Sequence, residues 1–271
     1  MLLQRFILLL GLLIAAPLQA QVKVSVGIDP MRYLLEQIGG ERVLVSTLLS
    51  SGDPHALDPT PAQLLALKKS DLYFAVGLPF ERSLGKRLGA PERLVWLAAP
   101  DQEHLENHAH DHSDLSLDPH RWASPREMLR MAVQVVAKLQ SADPAGTDFY
   151  AEQLLQFRVK VEQLQSDLAK ALEGKPQAFV AIHPAWGWFA EEFDLLQLAV
   201  EREGKLPSIR QMSELKKDIV GSGAQAVVSE QGGNQAQVLA QRLGLKLLVA
   251  NPLSLDWEGS LRSLAQGLSE P

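Results

Sequence analysis

Seven histidines and no cysteine stand in 271 residues. A metal site in such a chain has to be built from imidazole, carboxylate, amide or water. Five of the histidines fall in "EHLENHAHDHSDLSLDPHRW" (103–122): His104, His108, His110, His112 and His120. His55 lies in "SSGDPHALDPTP", and His183 directly follows the apolar run "AFVAI". An Asp-Pro-His setting occurs twice, at Asp53-Pro54-His55 and at Asp118-Pro119-His120. Proline fixes its own φ and biases its neighbour to extended geometry, so each histidine starts from a restrained backbone. The preceding Asp is a candidate partner for an imidazole N–H. A lone loop histidine is usually a solvated polar residue, and spacing alone leaves ligation and solvation about evenly matched.

The elements that must position these residues alternate between two periods. "VKVSVGI" (22–28) reads as a strand, "MRYLLEQIGG" (31–40) as a helix closed by glycine, and "RVLVSTLL" (42–49) as a second strand. Thr60, Pro61 and Gln63 form a capping box ahead of the helix "PAQLLALKK", and "DLYFAVG" (71–77) is a third strand. Ser124, Pro125 and Glu127 form another capping box, opening a helix over 124–141. Next, Tyr150, Leu154, Phe157, Val161, Leu164, Leu168 and Ala171 are spaced alternately four and three apart, up to a stop at Gly174. That seam predicts one long helix of about 38 Å at 1.5 Å per residue, packed on its own lobes rather than on a coiled-coil partner. Strands follow at 178–182, 196–200, 224–229 and 246–250, a helix begins in "PAWGWFAEEF", and further helices lie around 211–220, 234–243 and 257–268.

Strands alternating with helices make an α/β protein with mainly parallel sheets. The expected organisation is a signal peptide (1–20), an N-terminal α/β lobe (21–144) carrying a His-rich loop (104–112), a linking helix (145–174) and a C-terminal α/β lobe (175–271). His55 and His183 then sit at the carboxyl ends of strands, one per lobe, where open α/β sheets bind ligands. His120 precedes a capped helix.

Compartment and charge narrow the function classes. "MLLQRFILLLGLLIAAPLQAQ" has one early Arg, an apolar run too short to span a bilayer, and small residues before Gln21, so it reads as a secretory signal cut after Ala20. Without cysteine no lipid anchor or disulfide is expected, and a periplasmic protein without a membrane anchor fits. Removing Arg5 leaves 25 basic and 32 acidic side chains, a formal charge of −7. That balance argues against nucleic acid and offers no basic face to anionic lipid. A monomer is expected.

Several segments together carry a family resemblance: "SGDPHALDPTPAQLLALKKSDLYFAVGLPFE", "DPHRWASPREM", "AIHPAWGWFAEEFDL", "EREGKLPS" and "ANPLSLDWEGSL". In this order they resemble the landmarks of the periplasmic zinc/manganese-binding proteins of metal ABC importers, across the whole mature chain, and the chain is most similar to the zinc branch. The resemblance implies two lobes joined by a long helix, one tight Zn²⁺ site in the cleft between them, and delivery of the ion to an inner-membrane ABC permease. His55, His120 and His183 match the family's ligand histidines. Position 183 separates the branches, with a carboxylate in manganese binders and a histidine in zinc binders. The chain departs from the pattern at the fourth ligand, where Asn251 replaces a frequent Asp. Asn251 itself, whose amide oxygen is a weaker zinc ligand than a carboxylate, or else water, Asp256 or Glu230 could fill or support that position, although Glu230 reads more readily as an ordinary strand-end carboxylate.

His104, His108, His110 and His112 resemble the family's variable His-rich acidic loop. The segment is equally a solvated tether or a weak zinc collector. Two other classes fit three histidines less well. A zinc hydrolase would leave an open metal position, but no HExxH or GxSxG motif is present. An adhesion protein would use the same fold with structural zinc.

Overall fold

Val22, Val24, Val26 and Ile28 alternate along one face of strand β1 (Val22–Ile28) and are all buried. β-branched side chains at period two suit a pleated surface covered by helices. In the computed structural model, which describes residues 21–49, 57–82, 84, 91–97, 118–175, 178–201 and 207–270, β1 pairs in parallel with β2 (Val43–Leu49) on one side and β3 (Leu72–Ala75) on the other. Strand β4 (Leu94–Trp96) extends the sheet to the order β2-β1-β3-β4. Helix α1 (Asp29–Gly39) connects β1 to β2. Helix α2 (Pro61–Leu67) precedes β3 and opens on the expected capping box, Gln63 N–H donating to Thr60 Oγ1 (3.3 Å) while Gln63 Oε1 accepts from Thr60 N–H (2.9 Å).

The second sheet repeats the plan. Strands β5 (Ala178–Ala181), β6 (Leu196–Ala199), β7 (Ala226–Ser229) and β8 (Lys246–Val249) are parallel in the order β6-β5-β7-β8. In each sheet the first strand is flanked by the second and third. The chain therefore winds away from it in both directions, and the carboxyl end of that strand is the place where the fold opens a crevice.

Between the sheets run α3 (Pro125–Ala142) and the 26-residue α4 (Thr147–Leu172), followed later by α5 (Gly187–Glu192), α6 (Ile209–Ser222), α7 (Asn234–Leu243) and α8 (Trp257–Ser269). Helix α4, about 39 Å long, links the two lobes and packs against α1, α3 and α8 of its own chain. Its seam faces inward: Tyr150, Phe157, Val161, Leu164 and Leu168 are buried, and Leu154 and Ala171 are partly covered. Gly174 ends the region with φ +68°, a left-handed conformation that a Cβ would oppose.

Strand alternation divides the apolar interior. Phe179 and Ala181 of β5 join a core that runs from Val24 and Leu34 through α4 to Leu261, whereas Ala178 and Val180 face a smaller core with Leu215, Ile219 and Ala240. One lobe thus lends a face to the shared interior, while α1 packs on β1 and β2, α6 on β5 and β6, and α7 on β7 and β8.

Three details differ from the sequence expectation. Strand β4 was not anticipated, because three residues are too few to display a period. The linking helix begins at Thr147 after a 3-10 turn at Pro144–Gly146. The capping box at Ser124 is half formed: Ser124 Oγ accepts from Glu127 N–H (3.1 Å), but the Ser124 N–H already bonds the Arg121 carbonyl (3.1 Å). Glu127 therefore turns instead to Arg121 (3.1 Å) and Arg130 (2.6 Å).

Candidate metal centre

His120 is built by its own tripeptide. Asp118 Oδ1 accepts both the His120 backbone N–H (2.9 Å) and a hydrogen bond from His120 Nδ1 (2.6 Å). The rigid Pro119 between them keeps the turn short. A carboxylate on Nδ1 selects the tautomer whose Nε2 lone pair is available to a metal. The ring is buried, with Trp122 at 5.1 Å between centroids in an edge-on contact.

His183 reaches the same place from the second sheet. It stands two residues beyond β5, where the backbone turns and Ala185 N–H closes on the His183 carbonyl (2.8 Å). Its Nδ1 faces Glu201 Oε2 at 3.4 Å. Glu201 follows the neighbouring strand β6, and its N–H bonds the Ile182 carbonyl (3.0 Å), so the parallel ladder itself carries the carboxylate alongside the imidazole.

With both Nδ1 edges held by carboxylates, both Nε2 edges face each other. They are 3.4 Å apart, the rings inclined at 77°. Two nitrogens bound at 2.0–2.1 Å to one tetrahedral ion stand about 3.3–3.4 Å apart. The pair thus has the edge length of a tetrahedral zinc site, and it joins the segment after β5 to a segment 63 residues earlier in the chain.

The remaining residues singled out above fall in different places. His55, His104, His108, His110 and His112 lie outside the described residues. Asn251 is exposed, and its Oδ1 accepts from Leu253 N–H (2.9 Å) in a local turn. Asp256 is the N-cap of α8, with Oδ1 accepting from Gly259 N–H (3.0 Å). Glu230 is half-buried directly after β7, the other neighbour of β5. Among the described residues no group of three or more His, Asp or Glu side chains forms a metal cluster. Glu201 was missed by the sequence reading. Only the adjacency of β5 and β6 brings it to His183, and no local pattern announces that adjacency.

Residues 24–269 match the family described as zinc-uptake complex component A, periplasmic (ZnuA). The chain belongs to this family. Among curated relatives, it is 27% identical over 243 residues to a putative metal-binding protein of Treponema pallidum, covering 83% of this chain and 77% of that one. It is 26% identical over 244 residues to the high-affinity zinc uptake system protein ZnuA of Bacillus subtilis, covering 83% and 76%. A crystal structure of ZnuA superposes with a TM-score of 0.80 at 29% identity, covering 92% of this chain and 98% of that one. The laminin-binding protein Lmb of Streptococcus agalactiae, an adhesin with metal-transporting activity, shares the fold at TM-score 0.76 and 20% identity. The matched family thus agrees with the zinc branch suggested by the sequence landmarks. Among the described residues no helix is long and apolar enough to cross a membrane.

Proposed function

We propose that this member of the family captures one Zn²⁺ through His55, His120 and His183 in the cleft between its lobes and hands it to an inner-membrane ABC permease. The ion is cargo, held by neutral imidazole nitrogens and released whole. The observation that carries the reading is the 3.4 Å separation of the His120 and His183 Nε2 atoms, each presented by a carboxylate on the opposite ring edge. Membership of a zinc-uptake family supports the same ion. Residues 1–20 serve as the export signal, the mature chain works as a monomer in the periplasm, and the 104–112 loop is an accessory that supplies no primary ligand.

Competitive titration of the apo protein with zinc tests this directly. The expected result is one tight site, weakened at least tenfold in each of His55→Ala, His120→Ala and His183→Ala, because each removes one of three nitrogen donors. Unchanged affinity in His183→Ala would overturn the assignment. Zinc-dependent turnover of ester or peptide substrates would instead indicate a hydrolase, and unimpaired growth of a deletion strain in scarce zinc would indicate a role other than uptake.

A further inference from the structure

The five residues from Trp188 to Glu192 grip the His120 segment at both of its ends. At one end the Trp188 indole N–H donates to the Asp118 carbonyl (3.0 Å), and Asp118 is the residue whose carboxylate orients His120. The Arg121 guanidinium lies over the face of the same indole, 4.4 Å from its centroid. At the other end Glu192 accepts from the Ser124 hydroxyl and from the Arg126 backbone N–H (3.1 Å), so a carboxylate of α5 sits on the N-terminus of α3. Gln165 of α4 donates to the second oxygen of Glu192 (2.6 Å), which keeps that carboxylate in place. Helix α5 begins four residues after His183, and the chain between them is anchored by the buried Trp186, whose N–H bonds Gln197 Oε1 (2.9 Å).

The geometry points to Trp188 and Glu192 as positioning residues of the zinc site: through α5 they hold His120 and His183 at the tetrahedral edge length as a preformed two-nitrogen half-site. Neither side chain contacts an imidazole in the bonds above. Each acts through the segment that carries His120, Trp188 at the Asp118 carbonyl and Glu192 at Ser124 and Arg126. The inference rests on the proposed role of His120 and His183 as ligands. It goes further, because it assigns the spacing of the two to contacts made by the chain itself. A half-site held in this way loses little side-chain freedom on binding, and preorganisation of that kind is expressed as affinity.

The test uses the full mature chain with Zn²⁺ and Co²⁺ as probes. Trp188→Phe keeps an aromatic face under Arg121 but deletes the N–H donor. Glu192→Ala deletes the clamp, and Glu192→Gln retains an acceptor for Ser124 and Arg126. The expected result is about a tenfold loss of zinc affinity in Trp188→Phe and Glu192→Ala, the low end for groups that orient a ligand, with most of the affinity restored in Glu192→Gln. The visible absorption of bound Co²⁺ reports coordination geometry, and it should lose its tetrahedral intensity in the two weakened variants while the apo proteins melt close to the parent. Parental zinc affinity and an unchanged cobalt spectrum in Trp188→Phe and Glu192→Ala would overturn the inference, as would an affinity loss that merely tracks apo stability with the spectrum intact. His120→Ala and His183→Ala, run alongside, separate the two failures. If they bind zinc like the parent, the ligand assignment itself falls. If they lose zinc while the α5 variants do not, only the positioning role falls.

Discussion

At the scale of single residues, two carboxylates with opposite tasks stand out. One oxygen of Asp118, Oδ1, accepts from both the His120 ring and the His120 backbone N–H. Asp118→Asn leaves an acceptor of the same shape but removes the charge that makes Nε2 a stronger donor to a metal. Zinc affinity should fall about 10–100-fold, as for other groups that hydrogen-bond a ligating histidine, with the melting temperature of the apo form little changed. Competition against a chelator of known affinity is the measurement, and an unaltered affinity would show that the clamp does not tune the metal. Glu81 is fully buried, with Oε2 accepting from the N–H groups of Val76, Gly77 and Leu78 (2.9 Å each) and Oε1 accepting from Tyr73 (2.9 Å). Burial pushes its carboxyl up to about 7, against the downward pull of those four donors. A carboxyl whose folded value lies above its unfolded one binds protons preferentially in the folded state. Its contribution to stability is therefore complete below about 4.5 and is lost as pH rises through about 7. The loss is on the order of 3 kcal/mol. Glu81→Gln keeps the three backbone bonds and should flatten that part of the stability profile, read by urea denaturation at pH 5, 6, 7 and 8; an equally steep profile would mean that another group titrates there.

At the scale of elements, the linking helix shows how one amphipathic segment joins two sheets. Leu164 is fully buried and Leu155 is 58% exposed, both within α4. Leucine and alanine differ little in helix propensity, so the two sites isolate packing. Leu164→Ala should cost about 2–5 kcal/mol from lost transfer energy and the cavity left behind. Leu155→Ala should stay within about 0.5 kcal/mol. Denaturant midpoints at constant m-value would establish the contrast. Similar losses at the two sites would mean that α4 is covered on both faces in solution. The seam itself was legible because a helix writes its buried face at local spacing. The partners of that face, α1, α3 and α8, were not, since nothing at spacing three or four says what will lie opposite.

At the scale of the whole molecule, the two sheets and the helices between them form a carrier whose stability should depend on its cargo. An ion that binds the folded site and scarcely the unfolded chain adds RT ln(1 + [L]/Kd), about 2.7 kcal/mol at one hundred times Kd. For a chain of this size that is roughly 5–10 °C of melting temperature. The expected shift appears with added zinc at neutral pH, disappears with a chelator, and shrinks as pH falls, because ligation needs neutral imidazole. A melting temperature indifferent to zinc would contradict a folded-state site. Deleting residues 104–112 removes four histidines but none of the three proposed ligands. Calorimetric titration should then lose weak additional binding and retain the tight phase. Loss of the tight phase would place a primary ligand in the deleted segment.

What the sequence determined by itself was everything that short-range regularity encodes. The valines at period two placed β1, the apolar four-three spacing placed α4, and the run 234–243 coincides with α7. The Asp-Pro-His tripeptide already contained the Asp118 clamp, because donor and acceptor are two residues apart. The strand-end position of His183 pointed to a crevice because open parallel sheets bind there. Tertiary structure alone decided the rest. The order β6-β5-β7-β8 set Glu201 beside His183, the approach of α5 to the His120 segment set the Nε2 atoms 3.4 Å apart, and Trp188 and Glu192 became neighbours of residues about 70 positions earlier. The reason is physical. Backbone geometry and local burial act over a few residues and leave a period in the chain, whereas contacts between elements depend on which apolar faces find each other, and that choice leaves no local pattern at any of the residues it brings together.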